Sequence, residues 1–563
     1  MRKSKRWIAL TAALLMSVSS VGVFAGCDDE TEDSGYDPTK ANLSVATYDG
    51  GVGKAWLEQA AARFMDMHKD STNFQEGRTG VKISVDANKV DYKGGKLVES
   101  SLRKDMYFTE GVEYYEFVEN GMVADLTQSV VKASMADYGE GTKTIENKLD
   151  ASFQNYLTAG TNGKYYMLPF YSGFYGFMYD IDLFEEAGFY MDVDGSFGHR
   201  LVDGKDASEE DREEFKEGLS NGPDGIHGTY DDGLPATYDE LIALVKYIKG
   251  EGYVPFCYSG AVSDYVSKAF RSFIVDYEGY DAYNLNYTFK GQNVAVVDKV
   301  NDDGTVVMGT VDISEANGYE LQRQAGKYYS LMMQEKLFGS TTYIGEEYNG
   351  LDYTGAQSEF IKSKHTNKRY AMLLEGVWWE NEAGDAFDDL VTLYGKGEGE
   401  RRFGMLPIPK VNADVQDRQQ TMVSSNSSFG FINKNCENME LAMEFMRFLH
   451  TDAEMAKFTI ETSIPRSLKY TVSPEDKEKA TAFGQSVIDM VSASKVVYPY
   501  SALSLILNNT ERFEESAWFF TSTVGGKTLN NPFTAFTADS GKISAKDYFN
   551  GLYTYQRDTW PIK

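Results

Sequence analysis

The stretch KYYMLPFYSGFYGFMYDIDLFEEAG, residues 164–188, decides the fold. It predicts a short strand over residues 164–167 and a break at Pro169, which has no backbone N–H to donate. A second apolar strand over residues 177–179 follows, and a helix begins at Asp182. Two short strands separated by an aromatic, glycine-containing segment indicate a place where the chain bends.

The aromatic rings on this bend have two alternative environments. Gly173 and Gly176 give the backbone room to turn beside bulky side chains. Tyr171, Phe174 and Tyr175 therefore face a cleft at a strand end, or they belong to the core of an ordinary strand–loop–strand unit. The pattern alone leaves both alternatives open.

The composition limits the class of partner. The chain has 563 residues, enough for two or more domains with full hydrophobic cores. Its formal net charge of −30 disfavours nucleic acid and a bare anionic membrane surface as partners. Aromatic residues make up 14% of the chain, which favours surfaces that bind through ring faces and hydroxyl groups.

The N-terminus carries the pattern of an export signal. A basic start is followed by an apolar run over residues 8–18 that is too short to span a bilayer. The sequence VFAGC, which ends at Cys27, resembles a bacterial lipobox, so residues 1–26 are expected to be a lipoprotein signal peptide. A plain signal peptide with an incidental cysteine is the alternative.

Lipidation would decide where the protein works. Cleavage before Cys27 and acylation of its sulfur, for example with palmitate, would hold the protein on the extracellular face of the bacterial cell membrane through the lipid alone. Residues 27–40 are acidic and lack apolar periodicity, which predicts a disordered tether.

The first part of the mature chain alternates strands and helices. Residues 43–47 and 81–85 have strand patterns, and residues 53–70 between them have apolar side chains at helical spacing. This rhythm predicts a parallel α/β sheet, in which ligands bind beyond the carboxyl ends of strands. Tyr48 and Asp49 follow such an end, so they are candidate ligand contacts or a turn with a solvated carboxylate.

Five short motifs follow one another along the chain. They are YDIDLF at residues 179–184, PATYDEL at 235–241, AMLLEGVW at 371–378, FGMLPIP at 403–409 and IPR at 464–466. Their order resembles family 1 extracellular solute-binding proteins, the capture subunits of ATP-driven sugar importers. Three residues depart from the family pattern: Asp180 replaces Asn, Tyr238 replaces Trp, and Arg466 follows its proline directly.

The resemblance implies a periplasmic-binding-protein-like α/β fold, with two α/β lobes joined by a hinge and a ligand cleft between them. Lobe one would comprise residues 41–168 and 421–464, and lobe two residues 169–420 and 465–563 with an acidic insertion over 190–236. The implied function is that of a monomer that captures a carbohydrate, expected to be an oligosaccharide, by hinge closure. It would deliver this ligand to the permease subunits of an ABC transporter and catalyse no reaction.

The resemblance also indicates ligand contacts. The family strand that corresponds to Phe108 and Glu110 opens on the cleft, and Glu375 ends a second strand before Trp378 and Trp379. Tryptophan packs on the C–H faces of a sugar, and carboxylates accept hydrogen bonds from its hydroxyls. Adjacent helical residues do not share a face, so Trp378 is preferred for the cleft. The candidate ligand contacts are Tyr48, Asp49, Phe108, Glu110, Phe174, Tyr175, Glu375, Trp378, Trp379 and Arg466.

The acidic insertion contains two loops rich in carboxylates and glycine. Asp192, Asp194 and Ser196 match the first three ligand positions of an EF-hand calcium loop. Phe197 replaces the usual glycine of that loop, and Asp203 replaces its final glutamate. A structural calcium ion that joins both loops is predicted, with an acidic surface insertion without metal as the alternative. The candidate ligands are Asp192, Asp194, Ser196, Asp224, Asp231 and Asp232.

Two rival functions remain open. A surface enzyme acting on glycosides is not excluded by composition, because carboxylates are abundant, although no pair of carboxylates at strand ends stands out. A peptide-binding protein of the same fold would favour edges that pair with a backbone over aromatic platforms. The two adjacent tryptophans favour a sugar.

Overall fold

The computed structural model of the protein describes residues 35–47, 50–87, 92–93, 96–97, 102–111, 113–262, 264–339, 343, 350–415, 418–425, 428–537 and 543–562. The signal peptide, Cys27, most of the tether, Tyr48 and Asp49 lie outside these residues, so those predictions stay predictions. Within the described part, no helix combines the length and the apolar character that crossing a membrane requires.

The described strands, numbered in chain order, are β1 Ala41–Thr47, β2 Val81–Ala87, β3 Tyr92–Lys93, β4 Lys96–Leu97, β5 Met106–Glu110, β6 Met167–Pro169, β7 Tyr175–Asp180, β8 Val254–Tyr258, β9 Gly291–Val300, β10 Val306–Ile313, β11 Tyr370–Gly376, β12 Phe403–Leu406, β13 Thr421–Val423, β14 Ser428–Ile432, β15 Lys495–Val497, β16 Ser522–Val524 and β17 Lys527–Leu529. The largest sheets have the orders β2-β1-β5-β14-β6 and β12-β7-β11-β8. Each sheet organises one lobe, which confirms the predicted two-lobed α/β fold.

The described α-helices are Ala55–Met67, Tyr114–Glu119, Ile145–Lys148, Ala151–Ala159, Ile181–Ala187, Glu209–Glu217, Tyr238–Gly250, Asp264–Thr288, Ala325–Phe338, Tyr353–Lys362, Trp379–Glu382, Gly384–Tyr394, Met439–Leu449, Asp452–Thr462, Pro474–Lys477, Ala482–Ala493, Ser504–Leu507, Thr510–Phe513, Glu515–Phe520, Pro532–Thr537 and Ala545–Asp558. Short 3₁₀ or π turns cover Thr127–Val131, Ala136–Tyr138, Gly204–Asp206, Glu315–Arg323, Ser363–His365, Lys396–Glu398 and Ala413–Val415.

The sheet of lobe one is mixed. β1 pairs in parallel with β2 and β5, while β14, which comes much later in the chain, runs antiparallel between β5 and β6. The helix Ala55–Met67 packs on this sheet, and the side chains it buries include Trp56 and Phe64. Because β14 returns from lobe two, the two lobes are joined by more than one segment.

The sheet of lobe two is fully covered. β7 lies between β11 and β12 and is antiparallel to both, whereas β11 runs parallel to β8. Every residue of β7 and β11 is buried, as expected for central strands with elements on both faces. The long helix Asp264–Thr288 contacts both strands.

The passage between the lobes differs from its prediction in its first strand, which covers Met167–Pro169 instead of residues 164–167. Pro169 does not break the first strand but is the last residue of β6, opposite Phe429 of β14. β6 is the edge strand of its sheet and pairs with β14 alone, so the missing N–H of Pro169 costs no ladder bond. The break predicted at Pro169 is therefore wrong, and the chain leaves the sheet just after it.

The crossing segments are hydrogen-bonded side by side. Ser172 donates its N–H to the carbonyl of Pro465 at 2.8 Å, and Ser425 donates its N–H to the carbonyl of Gly173 at 2.7 Å. Three stretches of chain that are distant in sequence thus run together between the lobes. β7 then begins at Tyr175 in the second sheet.

The acidic insertion folds against lobe two. An isolated bridge pairs Asp192 with Leu219, so the two ends of its first part lie together. The buried rings of Tyr190 and Phe215 meet edge to face at 6.1 Å and hold the helix Glu209–Glu217 onto the lobe.

Cys257, in β8, and Cys436 are free thiols.

Candidate ligand-binding site between the lobes

Gly51, which follows β1 in lobe one, contacts a short helix of lobe two. Gly51 has a positive φ of 62°, a backbone conformation that glycine adopts at little cost. Its N–H donates to Glu382 Oε1 at 3.2 Å, and its carbonyl accepts from Asn381 Nδ2 at 2.6 Å. Both partners belong to the helix Trp379–Glu382. The two lobes therefore meet at this point.

Aromatic rings from three elements surround this contact. Trp378 lies against Gly51, and its ring meets Tyr175 and Tyr265 edge to face, with centroids 5.0 and 6.2 Å apart. Tyr175 begins β7, and Tyr265 lies in the first turn of the helix Asp264–Thr288. Edge-to-face packing of aromatic rings is favourable, and Trp378 and Tyr175 are both buried, so this aromatic wall is closely packed beside the contact.

Glu375 stands near the end of β11, opposite Gly176 of β7. It is completely buried. Its Oε1 accepts the N–H of Gly376 at 2.8 Å, and its Oε2 has no hydrogen-bond partner among the described residues. Burial, reinforced by Glu382, holds the pKa of Glu375 well above its usual range. A buried polar atom without a partner is costly, so this position suits a ligand group.

Glu382 connects the two lobes to a third element. Besides the N–H of Gly51, its carboxylate accepts a hydrogen bond from Gln357 Nε2 at 2.7 Å. Burial raises the pKa of Glu382, and the carboxylate of Glu110 raises it further. Gln357 is buried in the helix Tyr353–Lys362, and its Oε1 has no partner in the described part of the chain.

Lobe one contributes a carboxylate to the same region. Glu110 ends β5 and accepts a hydrogen bond from the hydroxyl of Tyr171 on the crossing segment. Burial first, and then carboxylates that include Glu375 and Glu110, raise the pKa of Tyr175. Residues from both lobes therefore share one electrostatic environment.

A cavity of about 350 Å³ opens beside this cluster and has walls from both lobes. Lobe one supplies Gly51, Trp56 and Glu461, and lobe two supplies Glu382 and Asp385. A neighbouring cavity of about 580 Å³ shares part of this wall, including Asn381, Gly384 and Glu461. Small-molecule sites commonly fall in this range of volume, so the gap between the lobes is large enough for a sugar.

Not every predicted ligand contact lies at this site. Trp379 is completely buried, and its ring packs on Phe403 at 5.0 Å and on Phe360 at 5.7 Å in the core of lobe two. Phe108 is buried in lobe one against Trp56, with their centroids 5.7 Å apart. Phe174 is 1% exposed, and its carbonyl accepts the N–H of Val377 at 2.9 Å.

Arg466 also lies in a core. Its guanidinium is within 5.3 Å of the ring centre of Phe170 and 5.0 Å of that of Phe458. Its Nη2 lies 3.2 Å from Nε2 of the buried His450. Burial lowers the pKa of Arg466 to about 10. Arg466 therefore packs on Phe458 and His450, which the predicted boundaries assign to lobe one, and on Phe170 of the crossing segment.

The predicted calcium ligands lie in two separate sets of hydrogen bonds. Asp192 and Asp194 both accept from the hydroxyl of Ser196, at 3.4 and 2.6 Å. Asp231 accepts from Thr229 Oγ1 at 2.8 Å. Among the further contacts, the N–H of Asp224 donates to Asp231 and the N–H of Gly228 donates to Asp232. Within the described residues, no group of three or more His, Cys, Asp or Glu side chains is placed to hold a metal ion, and calcium stays a prediction.

Sequence reasoning missed several residues of the site. Asn381 and Glu382 stand two and three residues after the tryptophan pair, and polar residues in a short helix just after a strand end are a usable signal. Tyr265 and Gln357 come from helices that only the folded chain brings close. Trp56 has the spacing of a core residue, although its side chain also lines the cavity.

Comparisons with solved structures agree with the two-lobed fold. The apo form of RafE from Streptococcus pneumoniae aligns with a TM-score of 0.50 at 13% identity, over 92% of this chain and 98% of that chain. A structure concerned with xylan utilization by the thermophilic bacterium Caldanaerobius polysaccharolyticus aligns with a TM-score of 0.51 at 13% identity, over 91% of this chain and 99% of that chain. Likeness at this identity supports the fold alone.

Sequence comparison identifies the family. A search of curated proteins finds no match. The family model for bacterial extracellular solute-binding proteins matches residues 50–456, most of the chain, which confirms the resemblance. The protein therefore belongs to the family of bacterial extracellular solute-binding proteins.

Proposed function

We propose that the protein captures a carbohydrate, most simply an oligosaccharide, between its two lobes and delivers it to the permease of an ABC transporter. The observation that carries this proposal is the cavity that carboxylates of both lobes line, beside the contact of Gly51 with Trp378 and Glu382. The family supplies the general activity, solute binding, and the side chains supply the chemistry of the solute.

The side chains of the site match the two faces of a sugar. A pyranose ring presents apolar C–H faces, which pack on aromatic rings such as Trp378 and Tyr265. Its rim carries hydroxyls, which both donate and accept hydrogen bonds. Glu375 Oε2 and Gln357 Oε1 are buried acceptors without partners among the described residues, so sugar hydroxyls would satisfy them.

Capture works by closure of the hinge. The hydrogen bonds of Gly51 to Asn381 and Glu382 require the lobes to be together. A ligand that touches both lobes binds the closed form better than the open form, so it shifts the population towards closure. The closed form would then be the one that docks on the permease. This cycle needs no covalent step, so no enzymatic activity is proposed.

The place of action follows from the N-terminus. Cys27 after a leader with a lipobox-like end supports a lipid anchor on the extracellular face of the membrane. Mass spectrometry of the membrane-extracted protein tests this part, because acylation at Cys27 adds a defined mass to the N-terminal peptide. An unmodified Cys27 in the mature protein would refute the anchor.

Ligand capture is tested by differential scanning fluorimetry of the mature protein against a panel of mono- and oligosaccharides. We expect at least one sugar to raise the melting temperature in a concentration-dependent way, since a ligand that binds only the folded state stabilises it. The same mixtures are then analysed for hydrolysis products. Release of products would favour a glycoside-acting enzyme instead, and stabilisation by peptides alone would favour the peptide-binding alternative.

A further inference from the structure

The cavity between the lobes is lined by acidic side chains. Glu382, Asp385 and Glu461 approach it from both lobes. Of the described residues that line it, the basic one is Lys54, whose ammonium forms an ion pair with Glu58 at 2.9 Å. An anionic group in this cavity would therefore meet three carboxylates and one cation that is already paired.

The described arginines near the two cavities are engaged by carboxylates. Arg63 reaches Glu461 at 3.0 Å but also pairs with Glu454 at 2.7 Å. In the neighbouring cavity, Arg401 pairs with Asp180 at 2.7 Å. The last guanidinium of that cavity, on Arg402, is bound by Asp182 and Glu185.

The cations near the aromatic wall are neutralised as well. Lys268 pairs with Asp264 at 2.7 Å, and the buried Arg271 pairs with Glu515 at 2.6 Å. Glu375 is completely buried, and its charged neighbour is a second carboxylate, Glu382, which helps to raise its pKa. Whether Glu375 is ionised or protonated, it offers an anion no compensating positive charge.

The polar atoms that lack partners complete the pattern. Trp56 Nε1, a donor only, and Glu461 Oε2 and Glu375 Oε2 are buried without hydrogen-bond partners among the described residues. A hydroxyl both donates and accepts, so it can satisfy either kind of atom. A ligand carboxylate, sulfate or phosphate only accepts, and removing its charge from water without a cation to pair with is costly.

We propose that the site selects uncharged glycans and excludes acidic ones, with Glu382, Asp385 and Glu461 as the residues that determine this selectivity. The inference rests on the proposed carbohydrate function and narrows its ligand class. The excluded class consists of glycans whose bound sugar units carry uronate, sialate, sulfate or phosphate groups. Charge-based exclusion of this kind acts by disfavouring the wrong ligand as well as by fitting the right one.

A glycan array probed with the labelled mature protein is the first experiment. We expect the strongest signals on neutral glycans and none on their acidic counterparts. Calorimetry on matched pairs then gives the ratio of the neutral to the acidic affinity. The pairs are lactose with 6′-sialyllactose, α-1,4-galactobiose with digalacturonic acid, or the pair closest to the array hit. The acidic member should bind at least tenfold more weakly, and this ratio should shrink as salt screens the charges.

Variants test whether Asp385 and Glu461 cause the difference in affinity between neutral and acidic sugars. The double variant Asp385→Asn with Glu461→Gln should narrow the neutral-to-acidic affinity ratio at least threefold, whatever its affinity for the neutral sugar, and a circular dichroism spectrum like that of wild type shows that it is folded. Asp389→Asn is the matched control, because Asp389 is an exposed acid on the same helix and lines neither cavity. It should leave the ratio unchanged.

The outcomes separate the inference from the function it rests on. Acidic glycans as the strongest ligands, or equal affinity within a matched pair, would overturn the charge selection and leave carbohydrate capture standing. An unchanged ratio in the double variant would overturn the assigned residues. Absence of binding to every glycan on the array would defeat carbohydrate capture, and the charge selection with it.

Discussion

Asn381 Nδ2 donates a hydrogen bond to the carbonyl of Gly51 at 2.6 Å, and this bond joins the two lobes. The N–H of the same glycine is held by Glu382, so both polar groups of Gly51 are satisfied from lobe two. Gly51 is therefore fixed to the opposite lobe through its backbone N–H and carbonyl groups.

Removing this contact should weaken ligand capture. In Asn381→Ala the closed form loses one hydrogen bond, a net contribution of about 0.5–1.5 kcal/mol, which corresponds to about a twofold to tenfold loss of affinity. Calorimetry with the sugar found by screening measures this loss of affinity. Asn550→Ala, at an exposed position of the C-terminal helix, is the control. Equal affinity of wild type and Asn381→Ala would show that the contact does not support closure.

Substitutions at the two adjacent tryptophans should have different effects: Trp378 on sugar binding and Trp379 on stability. Trp379→Ala removes a completely buried core ring, so the free energy of unfolding should fall by about 3–5 kcal/mol. Trp378→Phe changes the wall beside Gly51 and should weaken sugar binding more than Trp379→Phe does. Urea unfolding and calorimetry on all three variants test both parts. A larger loss of affinity in Trp379→Phe would reverse the assignment.

The order of the sequence motifs predicted the two-lobed architecture correctly, because each motif marks a local strand end or helix start. Pro169 shows the limit of local rules. A proline disfavours a strand interior, but the sequence does not reveal that β6 is an edge strand with one neighbour. Edge position is a property of the assembled sheet.

Motifs in the sequence predicted Glu110, Tyr175, Glu375 and Trp378, whose role as ligand contacts stays a prediction. Glu375 and Trp378 flank one turn, so they were found together. Tyr265 and Gln357 lie on separate helices, and no local pattern connects them. Trp56 shows the converse problem, since its ring packs in the core of lobe one while its side chain also lines the cavity.

Glu375 should make stability depend on pH. Its pKa is raised in the folded state, so folding favours its protonated form. This contribution is fully present below the ordinary glutamate pKa of about 4.3 and is lost as pH rises through the higher folded value. Glu375→Gln lacks the titration, so wild type should lose stability relative to this variant between pH 5 and 8. A pH-independent difference in urea unfolding would contradict the shift.

Arg466 should contribute to the stability of the protein and not to its affinity for the ligand. In Arg466→Lys the buried His450 Nε2 loses its guanidinium donor, so the free energy of unfolding should fall by about 1–3 kcal/mol. Sugar affinity should stay within about twofold by calorimetry. A large loss of affinity without loss of stability would instead support the sequence-based prediction that Arg466 contacts the ligand.

Calcium binding to the acidic insertion is tested best through Asp231. Burial, with a further contribution from Asp224, raises the pKa of Asp231 to about 7, so protons compete with a cation at this carboxylate. Titration of chelator-treated protein with calcium should give heat at pH 8, much less at pH 6, and none in Asp231→Asn. Glu209→Gln, at an exposed residue of the insertion helix, should behave like wild type. No heat at pH 8 would leave an acidic insertion without metal.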